Sequence, residues 1–234
     1  MPNLNRRSLL AMLVMPAGCA IQSLPPLKAQ RITPSTTDTQ VRLPQIGQFW
    51  IYKKFNFYNS ALLETVKEEI TQIDRDILIH RHSDKTGTLP SERHGLWGQV
   101  KQDPYWDTLQ TYDTPLPAWP SHLTVDTSQT ISTHYRSDNG SFKYWINTST
   151  TVTNWERITL ACGTFDTVRI DTFIRLNHPD ISRTNCVRRN TIWLAPALGR
   201  WVARETTGEY VFSHTRHANI GKEDYFRWEL DSWG

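Results

Sequence analysis

From Phe165 to Thr172 the chain alternates: Phe165, Thr167, Arg169 and Asp171 fall on one side of an extended backbone, and Asp166, Val168, Ile170 and Thr172 on the other. A period of two predicts a strand with one buried and one wet face. Similar short segments surround it: "SFKYWINTSTTVT", "WERITLACG", "TNCVRRNTIWLAP", "GRWVARETT" and "DYFRWELDSW". Most are separated by turn residues. Short strands at near-regular spacing predict an antiparallel sandwich or an open, barrel-like sheet over about 128–234.

Upstream, "GQFWIYKKFNFYNS" is dense in aromatics and bounded by Gly47 and Asn59-Ser60, which reads as another strand. The stretch 62–82 is ambiguous, because Leu62, Val66, Ile70 and Ile73 keep helical spacing. Asp74-Arg75-Asp76 could instead turn two strands, and with β structure on either side we favour the hairpin. Residues 85–121 carry Gly and Pro punctuation that argues against long regular elements. They read as an irregular insertion, packed by Trp97, Trp106 and Trp119. The folded domain therefore spans 43–234, an all-β body with a long Trp/Pro-rich insertion.

The first residues follow a different logic. Arg6 and Arg7 precede an apolar run from Leu9 to Met15, then Pro16-Ala17-Gly18 and Cys19. This charged, apolar and small-residue order is that of a signal peptide over 1–18, too short to span a bilayer. Beyond it no apolar run reaches the roughly 20 residues that a spanning helix needs. Ala17-Gly18-Cys19 resembles the lipobox of bacterial lipoproteins, with Pro16 standing where that family usually has an aliphatic residue. The resemblance implies a diacylglycerol on Cys19 with cleavage before it. Ala20, in place of the Asp typical of inner-membrane retention, implies sorting to the periplasmic side of the outer membrane. Ordinary cleavage to a soluble periplasmic protein is the alternative, and "NRRSLL" also resembles a twin-arginine signal, so the export route stays open. The stretch from Ile21 to about Gln40 is rich in Pro, Ser and Thr, and 19–42 is expected to be a lipidated cysteine followed by a flexible tether.

The segment "ACGTFDTVRI", followed by "IWLAPALGRWVARE", is similar to a pattern in uncharacterised secreted bacterial β proteins, over 159–205. There a Gly-Thr-Phe turn joins two strands; the likeness marks a fold and implies no activity.

The net charge of +3 is spread among alternating acids and bases, with no basic stripe suited to nucleic acid. With Cys19 lipidated, Cys162 and Cys186 form an even pair in an oxidising compartment, and a disulfide between them would close a loop worth about 3 kcal/mol. Two free thiols, a reactive cysteine or a site shared with His178 are the rivals. His80 and His82 share one strand face and His214 and His217 lie close together, but nothing in the spacing demands a metal. Glu68-Glu69 and Glu223-Asp224 read as exposed charges. No cofactor motif and no hydrolase or phosphate-loop signature occurs. Of the ten tryptophans, Trp50, Trp145, Trp193, Trp201 and Trp228 suit core or rim packing. Trp97, Trp106 and Trp119 are candidate ligand-binding aromatics for a glycan, a lipid or an envelope protein. The sequence thus points to a lipid-anchored, periplasm-facing module that binds or supports, with an exported hydrolase as the alternative.

Overall fold

A computed structural model describes residues 24–34, 40–138, 140–213 and 219–234. The signal peptide, Cys19 and the pair His214 and His217 lie outside them. Fourteen strands follow in chain order: β1 Lys28–Arg31, β2 Phe49–Asn56, β3 Leu62–Ile73, β4 Ile77–Ser83, β5 Gly87–His94, β6 Gln99–Asp103 and β7 Gln110–Pro117. The second half adds β8 Ser128–Ser137, β9 Tyr144–Leu160, β10 Gly163–Leu176, β11 Arg183–Ala195, β12 Arg200–Phe212, β13 Ile220–Lys222 and β14 Phe226–Trp233. The order β9-β10-β11-β12-β14-β2-β3-β4-β5-β6-β7-β8, with β8 returning to pair with β9, closes twelve antiparallel strands into a barrel. The all-β class is as expected, but the sheet closes on itself and leaves no second layer. Closure removes the unpaired edges that an open sheet would present.

The ambiguous stretch 62–82 is a hairpin, β3 and β4 paired from Ile73↔Ile77 outward. The insertion expected to be irregular is not: 85–121 holds β5, β6 and β7. Two of its prolines mislead because they sit where the ladder is already interrupted. On β5 the register steps from Arg81↔Leu89 to Ile79↔Glu92, so Pro90 falls in a bulge. On β7 it steps from Val100↔Leu116 to Gln102↔Thr111, which places Pro115 in another. A bulge asks for no ladder N–H, the one place in a strand where proline costs little.

The tether expectation also fails over 24–34. Lys28–Arg31 pairs with Thr159–Glu156, extending the edge of β9 beyond the reach of β8. The Leu24 N–H donates to the Phe57 carbonyl at 3.2 Å, and Arg227 Nη1 donates to the Pro25 carbonyl. Leu27 and Ile32 pack against the cluster that also contains Trp193 and Ala203. This arm runs along the outside of the barrel, from the β2–β3 turn to the side of β9.

The two ends of the barrel differ. At one, Trp97 stacks on Trp50 (6.4 Å) and meets Trp119 edge-on (5.7 Å), while Trp155 Nε1 donates to the Leu123 carbonyl at 3.0 Å. Gly199, at φ +76°, closes the short helical turn Pro196–Leu198 there; a Cβ on it would stand 2.5 Å from the Arg42 carbonyl oxygen. This end is plugged by tryptophan. The other end, bounded by the β2–β3, β4–β5 and β6–β7 turns, carries an open mouth.

The predicted Cys162–Cys186 bridge does not exist: both cysteines are free. Cys162 lies just before β10 and Cys186 pairs with Leu176 at its far end. The length of β10, roughly 40 Å at about 3.3 Å per residue, separates the two, whereas a disulfide needs Cα atoms within about 7 Å.

Candidate functional site in the barrel lumen

The lumen is not purely apolar. Side chains pointing inward alternate between core residues and charges: Val66, Glu68 and Ile70 on β3, then Ile79 and Arg81 on β4, and Glu92 and His94 on β5. Arg200 and Arg204 on β12 and Arg188 on β11 are also buried. Glu68, read from the sequence as an exposed charge, has no solvent exposure, whereas its neighbour Glu69 points outward and pairs with Lys67. Glu223 is likewise largely enclosed and faces Arg188.

The centre of the cluster is Arg200. Its Nη2 donates to Glu68 Oε2 at 2.7 Å, to Glu92 Oε2 and, at 3.0 Å, to Tyr105 Oη. Arg81 Nε donates to the other oxygen of Glu68 at 3.0 Å. His94 Nδ1 accepts from the Gly98 N–H at 3.1 Å, so its proton resides on Nε2, which donates to Glu92 Oε1 at 2.7 Å. Tyr105 Oη in turn donates to Glu68. Two guanidiniums and two carboxylates thus balance within one bonded network, the condition under which buried charge is tolerated. Burial alone would raise the Glu92 carboxyl, but the Arg200 charge and the bonds from His94 and Arg200 outweigh it and hold Glu92 well below the usual carboxylate range. Burial pushes the Tyr105 hydroxyl well above its ordinary value, and the flanking Glu68 and Glu92 push the same way.

Tyr105 reaches this network because the β6–β7 connection, Pro104–Leu109, folds inward across the mouth. Its ring lies under two guanidiniums, Arg81 at 4.3 Å and Arg204 at 4.2 Å. Trp106, next in sequence, lies under Arg188 at 4.2 Å and donates from Nε1 to Asp103 at 3.0 Å. Beneath this loop is a cavity of about 80 Å³, lined by Arg188, Arg200, Arg204, Asp103, Asn190 and Trp106 among others. That is room for about two or three waters. Above it the mouth opens into a cleft of about 390 Å³ bounded by Lys54, Arg81, Trp106, Asp107 and Trp228.

Of the three candidate aromatics, only Trp106 meets the cavity. Trp119 is buried in the far plug, and Trp97 donates its Nε1 to the Gly199 carbonyl at 3.1 Å in the same plug. Trp50, Trp193, Trp201 and Trp228 are buried as expected for packing, and Trp145 is partly exposed. His80 and His82 are exposed on β4, and among the described residues no three His, Cys, Asp or Glu side chains converge as a metal site. Burial raises both thiols, Cys186 to about 11, which leaves neither as a ready nucleophile. The arginines and glutamates of the lumen escaped the sequence reading. The available signal was their phase: each occupies the apolar register of its strand.

No protein-family profile matches the sequence, and no curated protein matches it significantly. Among solved structures, the chain is similar to a "putative lipoprotein" from Parabacteroides distasonis, with a TM-score of 0.51 at 11% identity over 81% of this chain and 96% of that one. It also aligns with the "hypothetical lipoprotein" YmcC from Escherichia coli, with a TM-score of 0.43 at 10% identity over 80% of this chain and 84% of that one. At such identity the first likeness is one of fold alone.

Proposed function

We propose that this protein is a lipid-anchored envelope component whose barrel binds a small polar ligand, a glycan or a lipid headgroup, through the mouth gated by Tyr105 and Trp106. The observation that carries the reading is the charged cavity behind that mouth, at the end of the barrel where the described N-terminal arm begins. The lipobox-like residues before Cys19 and the description of the similar barrel from P. distasonis as a lipoprotein support the anchor. Outward positions on β3 and β4 include Lys67, Glu69, His80 and His82, where a membrane-spanning barrel would carry an apolar belt. Binding suits the lumen better than catalysis, because Glu92 and Tyr105 are held far from the neutral range in which proton transfer is efficient.

An acylated Cys19 would also orient the barrel. Four residues separate it from Leu24, which docks at the β2–β3 turn beside the mouth, and the five Cα–Cα steps between them extend at most about 18 Å. The mouth would then face the bilayer from which the protein hangs, on the periplasmic side of the outer membrane. Replacing Cys19 with Ser should abolish acyl labelling and membrane fractionation; unchanged labelling refutes the anchor. In a background with Cys162 and Cys186 changed to Ala, a dye on Asp138→Cys should be quenched by headgroup-quencher lipids more than one on Asp74→Cys. Equal or reversed quenching refutes the orientation.

A further inference from the structure

Among the described residues, two buried guanidiniums of the lumen are not hydrogen-bonded to any carboxylate. Arg200 and Arg81 are matched by Glu68 and Glu92. Arg188 and Arg204 have no such match. Arg188 is 6% exposed, and its Nε has no hydrogen-bond partner; Glu223 Oε2 stands 3.5 Å away, outside bonding geometry. Arg204 is 9% exposed, donates from Nε only to the neutral Asn190 Oδ1 at 2.9 Å, and makes no ion pair with a carboxylate among the described residues. Both side chains line the same cavity. Burial and the neighbouring Arg204 charge depress Arg188, while burial raises Glu223 against the pull of Arg188. Two buried guanidiniums therefore stand near the Glu223 and Asp103 carboxylates without a hydrogen bond to either, beside an opening large enough for a few waters.

We infer that the cavity between Arg188 and Arg204 is an oxyanion site that takes the carboxylate or phosphate group of the ligand, with Trp106 and Tyr105 forming its aromatic walls. This deepens, and rests on, the reading of the lumen as a binding site. Guanidinium groups offer paired N–H donors that match the two oxygens of a carboxylate or phosphate, and such charge-assisted bonds are strongest away from bulk water. Asp103 does not compete for the site, because its Oδ2 already accepts from Trp106 Nε1 at 3.0 Å and from Tyr112 Oη at 3.2 Å.

The test follows the side-chain Nε–Hε resonances of the wild-type protein in NMR titrations with acetate, its neutral isostere acetamide, and inorganic phosphate, at fixed ionic strength against chloride. Saturable shifts of the Arg188 and Arg204 signals with acetate or phosphate, and none with acetamide, are expected; a preference between the two anions separates carboxylate from phosphate ligands. Arg204→Gln should weaken binding of the preferred anion about tenfold, the effect of losing one charge-assisted pair of bonds. Shifts with acetamide equal to those with acetate would overturn the oxyanion site while leaving a binding lumen. No shift with any of the three would overturn both. The wild-type titration decides the matter even if the variant does not fold.

Discussion

Replacing Arg200 with Met tests whether the lumen network is held together by charge balance. Arg200 is 1% exposed and donates to Glu68, Glu92 and Tyr105. Removing it leaves Glu68 with Arg81, but leaves Glu92 with only neutral donors, His94 and a 3.5 Å contact from the Tyr105 hydroxyl. Breaking a buried pair by removing one partner costs about 3–5 kcal/mol, because the other charge stays desolvated. In a chain of this size about 1 kcal/mol moves Tm by about 2–4 °C, so the variant should melt about 6–20 °C lower. The double variant Arg200→Met, Glu92→Gln should regain much of the loss, since it no longer strands a carboxylate. The pH dependence gives a second check. In the native protein Glu92 lies below its ordinary value of 4.5, so its stabilising effect is present above pH 4.5 and fades as pH falls below it. Without Arg200, burial is opposed mainly by the His94 bond and should push the Glu92 carboxyl above its unfolded value, so the deficit of the variant should shrink as pH is lowered from 7 toward 4.5. Urea unfolding followed by circular dichroism across that range measures both. A loss under about 1 kcal/mol at pH 7, or a double variant as unstable as the sum of the two singles, would refute the charge-balance argument.

Three further outcomes follow from the same structure. Gly199→Ala should destabilise by about 2 kcal/mol, combining a left-handed backbone with a close approach to the Arg42 carbonyl, and thermal unfolding reads this directly. Trp97→Ala should cost about 3–5 kcal/mol by opening the far plug, yet leave ligand-induced fluorescence changes intact, whereas Trp106→Ala should abolish those changes with a smaller effect on Tm. Alkylation and intact-mass analysis of the unfolded, non-reduced body should find both Cys162 and Cys186 modified; a mass lacking both adducts would contradict the free thiols.

The strands of the C-terminal half were legible because one side of each is consistently apolar, as in Val168, Ile170 and Ile174 of β10. The hairpin at 62–82 was legible for a different reason: the β structure downstream of it outweighed helical spacing that arises by chance when a strand buries every second residue with one bulge. What misled was composition read without register. Proline at 90 and 115 looked like the end of regular structure, although a bulge accommodates it. The polar stretch before residue 35 looked like a tether because its own apolar content is small; a neighbouring strand edge supplies what Lys28–Arg31 could not supply alone. An even cysteine count suggested a bridge, but pairing depends on a distance that only the fold sets.

The charges of the lumen pose a deeper limit, and also show what a sequence could reveal. Glu68 between Val66 and Ile70, and Arg81 after Ile79, break an otherwise apolar inward phase. One such break reads as an error of register or as an edge position. Several breaks on different strands, opposite in sign, carry more information, because each isolated charge would be prohibitively costly and only mutual proximity makes them tolerable. Glu68, Arg81, Glu92 and Arg200 satisfy that condition and close the network. Arg188 and Arg204 break the phase in the same way, but the nearby Glu223 and Asp103 are hydrogen-bonded to neither. An oxyanion in the cavity between these two arginines would take up the guanidinium donors that Glu223 and Asp103 leave unbonded, as the glutamates do for Arg200.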